Sequence, residues 1–212
     1  MFKNVYKNKK VLVTGHTGFK GTWLSMWLLN LGAKVIGYSD EIPTNPSHFS
    51  NLNLEKKINH NIGDVRDFEN FKRIIEDTSP EIIFHLAAQP LVRKSYRNPL
   101  ETIQVNAMGV ANLLEIARVS NNIKSIVVIT SDKCYENIEK TEGYVETDQL
   151  GGKDPYSASK GAAEIIFHSY YESYFKQQNS NLRIASARAG NVMGGGDWAD
   201  RRIVPDCMKS WS

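Results

Sequence analysis

Cysteine and long apolar runs are scarce in this sequence. Its 212 residues include two cysteines, Cys134 and Cys207, and neither belongs to a CxxC pair or a zinc-binding pattern. We therefore expect no disulfide framework and no metal site. No apolar run is long enough to span a membrane, and the first ten residues lack the apolar stretch of a signal peptide. We expect a cytoplasmic protein that does not bind membranes.

An excess of charge of one sign is also lacking. The formal net charge is +3, and it is spread along the chain without a basic block. Nucleic acid is therefore not an expected partner, whereas a mild positive charge suits an anionic small molecule such as a nucleotide. The hydrophobic content of 41% is typical of a globular protein. The length suits one full domain and the start of another.

Short apolar runs alternate with longer amphipathic ones along the chain. This order predicts an α/β fold, a Rossmann-like doubly wound parallel sheet with helices on both faces. Trp23 and Trp27 lie at helical spacing in the first amphipathic run, so we expect them in the core. We interpret residues 39–53 as a loop. Predicted strands cover residues 11–13, 34–38, 57–62, 81–86, 125–130 and 182–188, and predicted helices cover 21–31, 67–77, 99–119 and 156–175.

The last apolar segment, residues 203–211, begins a helix just before the sequence ends. This pattern predicts a truncated chain whose first domain covers residues 1–190. The remaining residues, 191–212, would then begin a second part.

A glycine-rich loop follows the first predicted strand and opens the first predicted helix. Its spacing, Gly-x-x-Gly-x-x-Gly, is related to the dinucleotide-binding fingerprint. Gly15 would permit a tight turn, Gly18 would let the backbone approach a pyrophosphate, and Gly21 would allow close packing of helix and strand. The glycines alone are equally compatible with simple turns. The strand–turn–helix context favours a dinucleotide site at the helix N-terminus.

The residues after the second strand bear on the choice of dinucleotide. The fingerprint calls for an acidic residue there to bind the adenosine ribose. Ser39 occupies that place, Asp40 follows one residue late, and no arginine is present to hold a 2′-phosphate. We therefore predict NAD and not NADP.

Two later strand ends add candidate cofactor contacts. Asp64 follows the third strand and could accept a hydrogen bond from the adenine amino group or cap the next helix. We favour capping for Asp67 and adenine binding for Asp64. Ala87 and Ala88 follow the fourth strand, and they are small enough to let the backbone lie against a cofactor, although ordinary close packing explains them equally well.

Two groups of residues predict the chemistry. Residues 131–133 follow an apolar run and place a hydroxyl, a carboxylate and an amine at a strand end. Tyr156 and Lys160 stand four residues apart on a predicted helix, so they share one face. A Lys160 ammonium would lower the pKa of Tyr156 and make it an acid/base near neutral pH. Together the groups indicate redox chemistry coupled to an acid–base elimination.

The chain resembles the extended short-chain dehydrogenase/reductase family. The resemblance rests on the glycine loop, residues 85–88 and the Tyr156–Lys160 pair, which occur in this order. The resemblance covers essentially the whole chain. Residues 14–21, 130–135 and 188–198 are similar to the dehydratases of this family that act on CDP-glucose. Residues 87–93 and 154–157 match the same dehydratases.

The resemblance implies an NAD-dependent 4,6-dehydratase of CDP-glucose that supplies deoxysugars for O-antigen-type polysaccharides. It implies a homodimer or larger homo-oligomer, and it makes residues 191–212 the start of the sugar-nucleotide-binding part. The resemblance also implies further contacts with the ligands. Those with NAD would come from Thr17, Phe19, Val65 and Thr130, and those with the sugar nucleotide from Gln89 and Asn191.

The resemblance also implies roles in catalysis. Tyr156, helped by Ser131, would take the C4 hydroxyl proton, and Lys160 would bind the nicotinamide ribose. Asp132 would protonate the departing C6 hydroxyl. Lys133 stands where the dTDP-glucose dehydratases carry a glutamate that removes the C5 proton. A lysine base must be neutral, so Lys133 is either that base or an ion-pair partner of Asp132.

Two other functions remain open from the sequence. One is another enzyme of the extended family, either a sugar-nucleotide epimerase or a dehydratase of a UDP-, GDP- or dTDP-sugar. An epimerase would not need Asp132 and Lys133 for an elimination. The other is an inactive NAD-binding fragment.

Overall fold

Six parallel strands form one sheet in the computed structural model, which describes residues 2–176 and 182–211. The strand order is β3-β2-β1-β4-β5-β6, so the predicted Rossmann-like architecture is confirmed. Residues 1, 177–181 and 212 lie outside the described part. The predicted domains include these residues, and the predicted strand 182–188 begins directly after residue 181. The strands are β1 Lys10–Thr14, β2 Lys34–Ser39, β3 Asn59–Ile62, β4 Ile82–His85, β5 Ser125–Ile129 and β6 Arg183–Ala187.

The helices connect successive strands. Two of them, His48–Asn51 and Val92–Arg97, were not predicted, because four and six residues are too few to show a helical period. A turn of π-helix at Gln104–Met108 joins α5 to α6, and another at Tyr171–Phe175 extends α7. No helix of the described residues is long and apolar enough to cross a membrane. The helices are α1 Phe19–Asn30, α2 His48–Asn51, α3 Phe68–Thr78, α4 Val92–Arg97, α5 Pro99–Ile103, α6 Gly109–Val119, α7 Pro155–Tyr170 and α8 Ile203–Trp211.

Both faces of the sheet carry apolar side chains, because successive residues of a strand point to opposite sides. In β1, Leu12 packs into the cluster that includes Phe71 of α3 and Leu113 of α6. Its neighbours Val11 and Val13 belong to a second cluster on the side of α1. The central strands are therefore enclosed from both sides, which holds their carboxyl ends in fixed positions.

The prediction that Trp23 and Trp27 are core residues is wrong. Their exposed fractions are 50% and 47%. Helix α1 buries Gly21, Thr22, Ser25 and Leu28 instead, because its small residues permit close approach to the sheet. The Trp23 indole donates a hydrogen bond to the backbone oxygen of Gly195, 2.9 Å away.

The sheet reverses its strand order between β1 and β4. Chain connections leave β1 toward β2 and β3 on one side and toward β5 and β6 on the other. In open α/β sheets such a switch point opens a crevice beyond the carboxyl ends of the strands. Gly15 follows β1 there, beside Ala87, which follows β4.

Candidate active site

A cavity of about 650 Å³ opens at this switch point. It brings together every site residue that the sequence predicts except Asp132, whose neighbours Ser131 and Lys133 do line it. The structure thus places the catalytic and cofactor candidates at one edge of the sheet. Their individual roles stay predictions.

The glycine loop is shaped by close backbone contacts. Gly15 has a φ of +71°, and a Cβ there would lie 2.8 Å from the Ala87 nitrogen. A Cβ at Gly21 would lie 2.1 Å from the Gly15 oxygen. Side chains are therefore excluded at both positions. Gly18 caps α1 without a side-chain hydrogen bond, which leaves the N-terminal amides of the helix directed to the cavity.

Ser39 faces inward at the end of β2. Its hydroxyl lies 2.8 Å from Nδ1 of His16, and Nε2 of His16 lies 2.6 Å from Nδ1 of His60. Burial, followed by the influence of His60, lowers the pKa of His16 to about 3. His16 is therefore a neutral structural side chain that ties the glycine loop to β2 and β3. Asp40, by contrast, is exposed and lines the cavity.

The third strand end supplies Asp64 and Val65. Asp64 accepts a hydrogen bond from Nε of Arg66 at 2.8 Å. Burial opposes ionisation of Asp64, but the hydrogen bonds from Arg66 outweigh it and hold the Asp64 pKa below its usual value. Asp67 caps α3 by accepting from the Asn70 amide, as predicted.

Ser131 caps a single helical turn at residues 132–134. Its hydroxyl donates to Oδ1 of Asp132 at 2.9 Å and accepts from the amide of Lys133 at 3.2 Å. Nζ of Lys133 lies 3.2 Å from Oδ2 of Asp132, and both side chains are about half exposed. The ion pair that the sequence left open is thus present, and an exposed pair of this kind breaks at little cost.

Tyr156 and Lys160 occupy the first turns of α7. Asp154 caps the helix by accepting from the amides of Tyr156 and Ser157. Both candidate residues are buried, and Nζ of Lys160 lies 6.0 Å from the centre of the Tyr156 ring. The expected pairing on one helix face is therefore confirmed.

The expected direction of the Tyr156 pKa is wrong in this structure. Burial raises the Tyr156 pKa, and the nearby Ser131 hydroxyl only partly opposes the rise. The same burial, reinforced by the Lys20 cation, lowers the pKa of Lys160 to about 8. Sequence spacing identified the neighbour but carried no information on the depth of the pocket.

A buried carboxylate packs α7 against the sheet. Glu164, one turn beyond Lys160, accepts hydrogen bonds from the hydroxyls of Thr130 and Ser186. It also pairs with the Arg188 guanidinium at 2.8 Å. The Thr130 hydroxyl is therefore directed into the protein, although Thr130 lines the cavity.

The two predicted substrate residues differ in surroundings. The Gln89 amide is buried, and its nitrogen donates to the Leu91 oxygen at 3.1 Å and to the Thr102 hydroxyl at 3.0 Å. Asn106 holds the same segment by accepting from the Gln89 backbone amide. Asn191 is exposed at the mouth of the cavity.

Sequence reasoning missed three cationic side chains of the cavity, Lys20, Lys94 and Arg202. Lys20 carried a usable signal, because it is the one lysine or arginine within the glycine loop. Arg202 carried none, because it lies about 180 residues away and approaches only through the fold.

Comparison with known proteins places the chain in a family. A family model for GDP-mannose 4,6 dehydratase matches residues 12–191. The chain belongs to the GDP-mannose 4,6-dehydratase family. Within related sequences, the chain is 50% identical over 212 residues to a CDP-glucose 4,6-dehydratase of Salmonella typhimurium. The match covers 99% of this chain and 59% of that relative, so the chain spans less than two thirds of the relative's length.

Solved structures agree with the family assignment. An epimerase of Methanothermobacter thermautotrophicus superposes with a TM-score of 0.82 at 27% identity, covering 96% of this chain and 58% of the other. A UDP-glucose 4-epimerase of Thermus thermophilus, solved with NAD, gives a TM-score of 0.75 at 31% identity. That match covers 87% of this chain and 56% of the epimerase. This dehydratase family therefore shares its fold with sugar-nucleotide epimerases.

Proposed function

We propose that this chain catalyses the NAD-dependent 4,6-dehydration of CDP-glucose to CDP-4-keto-6-deoxyglucose. The observation that carries the proposal is the shared cavity, which is lined by the glycine loop and by Ser131, Lys133, Tyr156 and Lys160. The 50% identity to the Salmonella enzyme supports the choice of CDP-glucose.

The glycine loop fits a dinucleotide. Gly15 lets the backbone lie close to Ala87, and Gly21 packs against Gly15. Gly18 leaves open the side where a pyrophosphate would approach. The N-terminus of α1 would supply amides and the positive end of the helix dipole to the phosphates. When bound, NAD would accept hydride from C4 of the sugar and return it to C6.

The side chains of the cavity would perform the proton transfers. Tyr156 would remove the C4 hydroxyl proton as the C4 hydride leaves, with Ser131 bonding to the same oxygen. Lys160, whose Nζ lies 6.0 Å from the centre of the Tyr156 ring, would bind the nicotinamide ribose.

The elimination would use the ion pair at the end of β5. The C4 ketone acidifies the C5 proton, and Lys133 would remove it in its neutral form. Transfer of the proton of the ion pair from Lys133 to Asp132 would give that neutral amine and a carboxylic acid. Asp132 would then protonate the C6 hydroxyl, which leaves as water and gives a C5–C6 double bond. The half exposure of both side chains allows their ion pair to open toward the substrate.

A second copy of the chain is the partner we propose. Helices α4, α5 and α7 pack against one another and expose Tyr96, Leu100, Ile103 and Ile165, whose exposed fractions lie between 42% and 67%. Helical faces of this kind pair in four-helix contacts. Sedimentation of a Leu100→Glu, Ile165→Glu variant tests this proposal: we expect a monomer, and an unchanged oligomer would contradict it.

Incubation of the chain with CDP-glucose and NAD tests the reaction. We expect a 4-keto-6-deoxy sugar in the product by NMR. A C4 epimer would support the epimerase alternative instead, and no conversion despite NAD binding would support a binding module.

A further inference from the structure

Lys20 stands in the reaction cavity without a role in the chemistry described above. It is the second residue of α1, between the last two glycines of the loop, and it lines the cavity with Tyr156 and Lys160. Helical side chains lean toward the N-terminus of their helix. The Lys20 side chain therefore extends from α1 toward the end of the helix where phosphates bind.

The charges around Lys20 are mostly of its own sign. Burial, and then the Arg202 guanidinium, lower the pKa of Lys20, while Asp132 opposes them. Lys20 in turn contributes to the lowered pKa of Lys160. Three cationic side chains from α1, α7 and the segment before α8 thus converge on one cavity.

The carboxylates near this cluster already have cationic partners. Asp132 pairs with Lys133, and Asp197 lies 3.5 Å from Nε of Arg202. That Nε is buried and has no hydrogen-bond partner within the described residues. Over the same part of the chain, no carboxylate lies within 4.0 Å of the Lys20 ammonium. Lys20 is exposed and the Arg202 side chain is 30% exposed, so both cations are accessible to a polyanion that enters the cavity.

We propose that Lys20 and Arg202 bind the diphosphate of a nucleotide in this cavity. The inference rests on the proposed function, because it takes the cavity to be a nucleotide site. A diphosphate offers acceptor oxygens on both phosphates, so the ammonium of α1 and the guanidinium of the segment before α8 contact it together. The diphosphate belongs either to NAD or to the sugar nucleotide, and binding measurements separate the two sources.

Dissociation constants for NAD and for CDP test the proposal, measured on the whole chain and on Lys20→Met. We expect binding of one of the two ligands to weaken about tenfold or more, since a charge-assisted hydrogen bond is lost. Lys20→Arg retains the charge and should recover most of the affinity. Lys34→Met is the matched control, because Lys34 is exposed at the start of β2, at the far end of the sheet. Lys20→Gln gives a second measurement if the methionine variant folds poorly.

Each outcome decides the proposal. Weaker binding of NAD alone assigns Lys20 to the cofactor, and weaker binding of CDP alone assigns it to the substrate; both support the inference. Equal effects of Lys20→Met and Lys34→Met, or no effect of either, would overturn it and leave the proposed function intact. A wild-type chain that binds neither NAD nor CDP would overturn both.

Discussion

The carboxylate of Glu164 and the guanidinium of Arg188 lie 2.8 Å apart in the interior, with side-chain exposures of 3% and 17%. Glu164 belongs to the helix that carries Lys160, and Arg188 follows β6. Hydrogen bonds from Thr130 and Ser186 complete the surroundings of the carboxylate. This cluster holds α7 in a fixed position against the carboxyl ends of β5 and β6.

Glu164→Ala should destabilise the fold strongly, because it leaves a largely buried guanidinium without its partner. We expect a loss of about 3–5 kcal/mol in the free energy of unfolding, measured by urea denaturation. Glu76→Ala is the control, since Glu76 is 62% exposed and lies 3.9 Å from Lys72. That change should cost less than about 1 kcal/mol. Equal losses in the two variants would contradict the role of Glu164.

Stability should fall in mild acid because of His85. Burial, followed by the Lys160 cation, lowers the His85 pKa from 6.5 to about 3. The unfolded chain therefore binds a proton between pH 6.5 and 3 that the folded chain does not bind. The stabilisation is complete above pH 6.5 and is lost as the pH falls through this window. Between pH 6.5 and 4.5 the loss is on the order of 2 kcal/mol.

Urea denaturation at these two pH values measures the His85 effect. His85→Gln removes the titrating group, so the variant should show a smaller loss of stability between them. An identical pH dependence in variant and parent would rule out His85 as its source.

Tyr156→Phe should lower turnover of CDP-glucose by about 10²–10⁴-fold, because the proton acceptor for the C4 hydroxyl is removed. Binding of NAD should change little, since the ring remains. The control is Tyr174→Phe, which removes a hydroxyl from a side chain that is 50% exposed near the end of the α7 extension. Activity that survives in Tyr156→Phe would assign the proton transfer to another group.

Lys133→Met should abolish exchange of the C5 proton with solvent deuterium while leaving oxidation at C4 in place. Rapid quenching and NMR of the sugar measure the exchange. Asp132→Asn removes the ion-pair partner and should preserve exchange at C5 while slowing loss of water. Unchanged exchange in Lys133→Met would show that Lys133 is an ion-pair partner of Asp132 and not the C5 base.

Local sequence patterns were sufficient for the sheet and for the glycine loop. Apolar runs set the strands, and the spacing of Gly15, Gly18 and Gly21 set the loop, because both depend on neighbouring residues. The orientation of α1 was not predictable in this way. Close packing around the loop determines which face is buried, and it turns Trp23 and Trp27 outward.

The directions of the pKa shifts in the site could not be predicted from the sequence either. The Tyr156–Lys160 spacing predicted their proximity, but only the fold determines how deeply both are buried. Arg202 approaches Lys20 through tertiary structure alone. Spacing therefore predicted that Tyr156 and Lys160 lie together, and burial determined the direction of their pKa shifts.

Internal hydride transfer is the central claim, and CDP-glucose labelled with deuterium at C4 tests it directly. The chain is incubated with this substrate and NAD in ordinary water, and the product is examined by NMR. The account predicts CDP-4-keto-6-deoxyglucose with the deuterium at C6 and a solvent proton at C5. Deuterium retained at C4 of an epimer, deuterium lost from the sugar, or no conversion would contradict it.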